Sequence, residues 1–152
     1  MKKPSLLLLL CLSLSVAAYA QWTTTQHSVG RWYHGAAIVE GKLILAGGAT
    51  GLEPTGSIEI YDIATDTWLK IADTLPVPRF FIGATVHGSK AYFAGGGDFF
   101  GLNSADIDVY DAITGTWSQM SLSEPKQGLS AQTVGNKLIF AGGGIQDYPI
   151  YE

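Results

Sequence analysis

The chain has 152 residues, a formal net charge of −4 and 19 glycines, with 47% hydrophobic and 14% charged residues. This length suits one compact domain, and the abundance of large apolar side chains excludes an intrinsically disordered chain. A single cysteine excludes a disulfide scaffold, and the glycines lack the three-residue period of collagen.

The N-terminal segment 1–20 has the pattern of a secretory signal peptide. Lys2 and Lys3 form a short positive region, an apolar run follows over 6–16, and small residues end the segment at Ala20. The apolar run is too short for a comfortable membrane span, which takes roughly 20 apolar residues, and no later segment approaches that length. The sequence therefore predicts a leader over 1–20, cleaved after Ala20, and a secreted or periplasmic protein with no membrane span.

Cleavage would change the charge of the chain. Loss of the leader takes the net charge from −4 to −6, because two lysines are lost, and it removes the cysteine. The remaining basic residues are scattered singly, so they form no stripe that could neutralise phosphates. We therefore expect no nucleic-acid partner, and a fold held by packing without disulfides.

One pattern recurs along the rest of the chain. An Ala-Gly-Gly tripeptide occurs three times, at intervals of 48 and 47 residues, beginning at Ala46, Ala94 and Ala141. In the first two copies a Tyr-Asp pair then leads to Thr-Trp, and both motifs are offset by 49 residues. One structural repeat therefore has about 48 residues.

In chain order, the local signals are those of short antiparallel strands. Apolar runs joined by tight glycine turns predict three hairpins, namely 36–39 with 43–46, 84–87 with 91–94, and 131–134 with 138–141. In the first two copies a variable loop leads to a third strand, and a turn leads to a fourth. The third strands are predicted at 57–61 and 106–110, and the fourth strands start at Trp68 and Trp117. No helical period competes, so the sequence predicts an all-β chain.

Four short strands per copy, with paired glycines after the second strand and a Tyr and a Trp on the outer two, resemble the kelch repeat, a β-propeller blade. The resemblance implies that the glycine pair lets the backbone pass close to a neighbouring strand, while the Tyr and Trp pack within and between blades. The residues in these places are Gly47, Gly48, Tyr61, Trp68, Gly95, Gly96, Tyr110, Trp117, Gly142 and Gly143. An arginine before a blade's first strand also belongs to the pattern, and Arg31 and Arg79 match it.

The resemblance divides the mature chain, 21–152, into units of blade size. These are a lone fourth strand at 21–30, whole blades at 31–78 and 79–125, and a partial blade at 126–152 that ends in a strand at 149–152. About two and three-quarter blades are fewer than the four to eight of closed propellers, so an incomplete ring is expected. Three possibilities follow: a fragment of a larger propeller, a partial array that folds alone, and a homodimer that completes the ring.

The loops between second and third strands are the candidates for binding. The loops 48–57 and 97–105 differ in sequence at the same place in the repeat, and the second presents Phe99 and Phe100 between glycines. Adjacent aromatics on a rigid scaffold favour contact with a partner's pocket or a sugar ring; the alternative is that they pack over the blade edge. We predict an exported interaction module that binds protein or carbohydrate.

Patterns for metal binding and catalysis are weak. His27, His34 and His87 lack metal-ligand spacing, and no cofactor is predicted. Asp106 and Asp108 share a strand face, but acids on an outer strand are expected to be solvated and not to form a catalytic pair. Catalytic residues therefore stay unassigned, and an interaction module is favoured over an enzyme.

The resemblance implies further alternatives. Some copper-radical oxidases have kelch-type propellers, but their copper site needs a cysteine that the mature chain lacks. A sugar-active enzyme similar to kelch-type sialic acid mutarotases stays open, with Arg31 or Arg79 contacting a carboxylate, although such arginines are more often structural. The remaining alternative is a non-functional fragment.

Overall fold

The computed structural model describes residues 24, 25 and 30–144. In this part of the chain the regular elements are all β-strands, and it contains no helix long and apolar enough to cross a membrane. The predicted leader, His27, most of the lone strand predicted at 21–30 and the strand predicted at 149–152 lie outside the described residues.

The first whole repeat forms a four-stranded antiparallel sheet, called blade 1. The strands between residues 35 and 74 are β1 (Gly35–Val39), β2 (Lys42–Ala46), β3 (Ala49–Thr50), β4 (Glu53–Pro54), β5 (Ser57–Asp62) and β6 (Thr67–Thr74). Blade 1 has the order β1-β2-β5-β6, whereas β3 and β4 form a separate small hairpin in the loop between β2 and β5. The four predicted strands are confirmed, and the small hairpin was not predicted.

The second repeat forms an equivalent sheet, blade 2, and the third forms a hairpin. Their strands are β7 (Gly83–His87), β8 (Lys90–Ala94), β9 (Asp106–Asp111), β10 (Thr116–Ser121), β11 (Gln127–Val134) and β12 (Lys137–Gly144). Blade 2 has the order β7-β8-β9-β10, and β11 pairs with β12 in what is called the terminal hairpin. Within the described ranges the sheets do not close into a ring, which confirms an incomplete kelch-type propeller.

Two hydrophobic cores lie between successive units. The first joins blade 1 to blade 2, with Ile44 and Phe93 fully buried in it. The second joins blade 2 to the terminal hairpin and includes Tyr92 and Leu129. Because successive side chains of a strand point to opposite faces, the strands of blade 2 contribute to both cores.

In each blade the Tyr and the Trp of the repeat pack against each other. Tyr61 lies directly opposite Trp68 with ring centroids 5.1 Å apart, and Tyr110 lies opposite Trp117 with centroids 5.0 Å apart. Trp117 also contacts Phe93 and packs against the core between the blades. These aromatic pairs therefore stabilise the outer half of each sheet.

The paired glycines bring the backbone against the next unit. Gly48 has a φ of 103° and its N–H donates to the carbonyl of Arg79, 2.9 Å away. Gly96 has a φ of 101° and its N–H donates to the carbonyl of Lys126, 2.8 Å away. Left-handed φ values favour glycine, so glycine suits both places at which the backbone of one unit meets that of the next.

The third glycine pair differs from the first two in its strand assignment. Gly142 and Gly143 lie inside β12, not after it, because β11 begins early and pairs Gln127 with Gly144. In the two blades the corresponding pairings are isolated bridges, Trp32 with Ala49 and Phe80 with Gly97. The same backbone pairing thus lengthens the two strands of the terminal hairpin, whereas in each blade it is an isolated bridge.

Candidate functional site

Five aromatic side chains from both blades meet in one cluster, called the aromatic surface. It consists of two adjacent pairs from the segments before β1 and β7 and one ring from the loop after β8: Trp32, Tyr33, Phe80, Phe81 and Phe99. Centroid separations include 4.8 Å for Trp32 and Tyr33, 4.1 Å for Tyr33 and Phe81, and 4.3 Å for Phe80 and Phe99. The cluster therefore bridges the two blades.

The backbone of the repeat places these rings together. Tyr33 and Phe81 occupy equivalent places in successive repeats, and both have left-handed φ values, 54° and 57°. The N–H of Phe81 donates to the carbonyl of Tyr33 at 2.9 Å, and the N–H of Gly128 donates in turn to the carbonyl of Phe81. Left-handed backbone is costly for residues with a side chain, so it is held here by these contacts between units. In the terminal hairpin Gly128 takes this place, and the aromatic series ends.

The structure separates the two predicted loop aromatics. Phe99 packs against Trp32 and Phe80, with centroids 5.8 and 4.3 Å away, whereas Phe100 is 75% exposed. Asp98 fixes the turn between them, because its Oδ1 accepts hydrogen bonds from the N–H groups of Phe100 and Leu102 at 2.8 and 2.7 Å. Phe99 thus packs over the blade edge, whereas Phe100 is open to solvent.

Two members of this surface that sequence reasoning missed are also open to solvent. Trp32 is 40% exposed and Tyr33 is 48% exposed, and the indole N–H of Trp32 donates to the carbonyl of Gly51 in the small hairpin. Leu52 and Leu102, in the two variable loops, are exposed as well. The available signal was the aromatic pair that follows each blade-start arginine, at 32–33 and again at 80–81.

The blade-start arginines directly precede the two aromatic pairs in the sequence, and their side chains bind carboxylates inside the protein. Arg31 Nη2 is 2.7 Å from Glu59 Oε2, and its Nη1 donates to the carbonyls of Ser57 and Gly47. The side chain of Arg31 has no exposed surface. Its contacts fasten the start of blade 1 to β5.

Arg79 makes the equivalent contact in blade 2. Its Nη2 is 2.5 Å from Asp108 Oδ2, and its Nε and Nη1 donate to the carbonyls of Gly95 and Val77. The other carboxylate oxygen of Asp108 accepts a hydrogen bond from Gln119 at 3.1 Å. Asp108 is only 2% exposed, so the expectation that it is solvated was wrong. The ion pair and its hydrogen bonds offset the cost that both groups incur when they lose water on burial.

Neither arginine offers a solvent-accessible guanidinium group to a ligand. Both guanidinium groups are buried and contact protein atoms. The carboxylate contact implied by the mutarotase alternative would require a guanidinium group that solvent can reach. That alternative therefore receives no support from Arg31 or Arg79, and no residue is assigned a catalytic role.

Other polar groups do not assemble into a reaction centre. No group of three or more His, Cys, Asp or Glu side chains able to hold a metal ion occurs among the described residues. A cleft of about 510 Å³ lies between the end of β6 and β10, with Leu75, Pro76, Asp108 and Trp117 in its wall. The carboxylate in that wall is already bound by Arg79. A separate hydrogen bond from the Tyr61 hydroxyl to Asp66 raises the pKa of Tyr61, at an exposed turn.

Comparison with known proteins agrees with this architecture. A family model described as the KLHDC2/KLHL20/DRC7 Kelch-repeats domain matches residues 5–149. Spermatocyte protein spe-26 of Caenorhabditis elegans is 30% identical over 120 residues, 73% of this chain and 21% of that protein. Kelch-like protein 35 of Mus musculus is 33% identical over 94 residues, 60% of this chain and 16% of that protein.

An F-box/kelch-repeat protein of Arabidopsis thaliana is 33% identical over 112 residues, 70% of this chain and 29% of that protein. The chain spans less than a third of the length of each of these relatives. The family model, in contrast, covers nearly the whole chain, including both blades and the terminal hairpin. The chain belongs to the kelch-repeat family.

Proposed function

We propose that this chain is an exported interaction module that binds a partner protein through the aromatic surface and the adjoining Phe100. The observation that carries the proposal is the exposure of Trp32, Tyr33 and Phe100 on a rigid scaffold of two blades. Large aromatic side chains supply much of the binding energy at protein interfaces and are enriched among hot-spot residues. The kelch-repeat relatives also suggest a protein-interaction module.

The chemistry of the surface indicates the kind of partner. Its exposed side chains are aromatic, the two variable loops expose Leu52 and Leu102, and both blade-start arginines are buried. A partner that inserts an apolar side chain would therefore bury it without leaving a charge unpaired. The indole and phenol rings can also pack on sugar rings, so carbohydrate is the second candidate.

Export rests on the predicted leader. A cleaved leader would place the module in an extracellular or periplasmic compartment. The mature chain has no cysteine, so its binding there depends on no disulfide within the chain. N-terminal sequencing of the protein from the producing cells tests this step. A mature chain beginning at Gln21 supports export, and an intracellular protein that retains the segment 1–20 contradicts it.

Replacing Phe100 by serine is expected to weaken binding at least tenfold while the stability changes by less than about 0.5 kcal/mol. The exposed ring contributes to a partner's pocket and little to the fold. Proteins that co-purify with the immobilised chain would first be identified by mass spectrometry. Affinity for the purified partner would then be measured by calorimetry for wild type and variant.

Ile113→Ser is the matched control for this experiment. Ile113 is 76% exposed in the turn between β9 and β10, outside the aromatic surface, so its replacement should leave affinity unchanged. Equal affinity of the Phe100→Ser variant and wild type would contradict the proposed surface. Immobilised glycans form a parallel arm, in which retention that depends on Phe100, without any protein partner, would favour carbohydrate.

A further inference from the structure

One edge of blade 2 has no neighbouring strand in the described part of the chain. Its outer strand, β10, lies at the end of the sheet order and pairs with β9 alone, in unbroken register over six residues. Within an antiparallel pair, successive residues direct their N–H and carbonyl groups alternately towards the partner strand and away from it. Every second residue of β10 therefore directs both groups away from β9.

A flanking hydrogen bond identifies which residues of β10 these are. The N–H of Leu122, just after the strand, donates to the carbonyl of Ala105, just before β9. By alternation, the even-numbered residues of β10 bond β9 and the odd-numbered ones do not. The groups that point away belong to Trp117, Gln119 and Ser121, and we call this row of backbone groups the open edge.

The open edge lacks the features that usually keep a sheet edge from pairing, which are charges, prolines and bulges. The strand has the sequence TWSQMS, without a charged residue or a proline, and its register has no bulge. The outer strand of blade 1 is different, because β6 contains Lys70 and Asp73 and its register shifts between Ser57 and Glu59. Of the two equivalent edges, that of blade 2 is therefore better suited to accept another strand.

The cleft between the end of β6 and β10 runs along the open edge. Its lining includes five consecutive residues on the side of β10, 115–119, and three on the side of β6, 74–76. Two runs of consecutive residues form a groove, a shape that suits an extended chain. Asp108 is the one charged side chain among the described residues of the wall, and Arg79 already binds it. The groove therefore favours an uncharged segment.

We propose that the open edge binds an extended segment of a partner protein, which adds to blade 2 as a fifth strand. The N–H and carbonyl groups of Trp117, Gln119 and Ser121 bond the backbone of this segment. In such strand addition, main-chain hydrogen bonds supply affinity and alternate side chains supply specificity. The contact is separate from the aromatic surface, because none of the five rings of that surface lines the cleft.

The two sides of β10 indicate what the added segment contains. Its side chains lie alternately on the two sides of the sheet. Those opposite Trp117 and Gln119 lie on the side of the cleft, where Trp117 and Pro76 offer apolar surface. Those between them lie on the other side, next to Ser118 and Met120, and Met120 is 55% exposed. We therefore expect an uncharged segment with apolar side chains at alternate positions.

Random twelve-residue peptides displayed on phage, selected on the immobilised full chain, provide the probe. Enriched peptides should contain an uncharged, alternately apolar segment, and calorimetry measures the affinity of the synthetic peptides. Gln119→Pro removes one N–H of the open edge, where an edge strand tolerates proline. It is expected to weaken binding at least tenfold more than Gln119→Ala, which keeps that N–H. Lys70→Pro, the same change at the equivalent position of β6, should leave the affinity unchanged.

Amide hydrogen exchange of the wild-type chain, followed by NMR, tests the contact even if a proline variant fails to fold. In the free chain, the N–H groups of Trp117, Gln119 and Ser121 should exchange rapidly, and those of Ser118 and Met120 slowly. A bound peptide should slow the first three at least tenfold.

Four outcomes would overturn the proposal. The first is slow exchange along the open edge of the free chain, which would mean that another segment or a second copy already covers it. The second is a selection that enriches no peptide, and the third is a bound peptide that leaves the open edge unprotected. The fourth is equal affinity of folded Gln119→Pro and Gln119→Ala variants, with circular dichroism as the check on folding.

Discussion

Replacing Arg79 by methionine is expected to lower the free energy of unfolding by about 3–5 kcal/mol, the usual cost of leaving one partner of a buried ion pair unpaired. Asp108, 2% exposed, would keep its contact with Gln119 but lose the cation at 2.5 Å. Methionine retains most of the apolar volume, so the loss reports the charge and its hydrogen bonds. Urea denaturation followed by tryptophan fluorescence measures the change.

The terminal hairpin supplies the control for this variant. Lys126 occupies the place that Arg79 has in blade 2, since the carbonyls of both accept the glycine N–H of the preceding unit. Its ammonium group pairs with Glu124 at 2.9 Å on the surface, where such pairs contribute about 0–1 kcal/mol. Lys126→Met should therefore have little effect, and Arg79→Met combined with Asp108→Leu should recover at least half of the lost stability. A loss below about 1 kcal/mol for Arg79→Met alone would contradict the buried-pair interpretation.

Gly47→Ala is expected to destabilise the chain by about 3 kcal/mol, the sum of a backbone and a packing cost. Gly47 has a φ of 67°, which costs a residue with a Cβ about 1–2 kcal/mol. An added Cβ would also lie 2.6 Å from Ile82 Cδ1 and 3.1 Å from Leu75 Cδ1, and overpacking of this kind adds about 1–3 kcal/mol. Thermal and urea unfolding of the variant measure the sum.

Gly41→Ala separates the two contributions. Gly41 has nearly the same φ, 70°, but a Cβ there would meet no atom within 4 Å. Its replacement should therefore cost only the backbone strain, about 1–2 kcal/mol. Equal losses for the two variants would show that close approach of the next unit at Gly47 contributes nothing.

Local patterns in the sequence were sufficient to predict the strands of both blades. The hairpin at 84–87 and 91–94, for example, differs from the observed β7 and β8 by one residue at the start of each strand. Glycine turns and apolar alternation are properties of a few consecutive residues, so they are readable without tertiary contacts. The hairpin β3–β4 was missed because two-residue strands are too short to show a period.

The contacts that sequence reasoning missed join residues far apart in the chain. Asp108 and its partner Arg79 are separated by 29 positions, and the alternation along β9 does not distinguish a buried acid from a solvated one. Phe99 and Phe100 look alike in sequence, and only the rings of Trp32 and Phe80 make the first a packing residue. Sequence reasoning therefore identified the loop but not which of its aromatics is open to solvent.

The backbone bonds between successive units have a consequence for how the array can change over time. Arg79 and Lys126 accept the glycine N–H of the preceding unit through their carbonyl oxygens, so this attachment does not depend on which side chain is present. A duplicated repeat would already carry the donors and acceptors its neighbours require. Gain or loss of whole units is thus an easier route of divergence for this chain than any shift within a unit, which would break attachments on both sides.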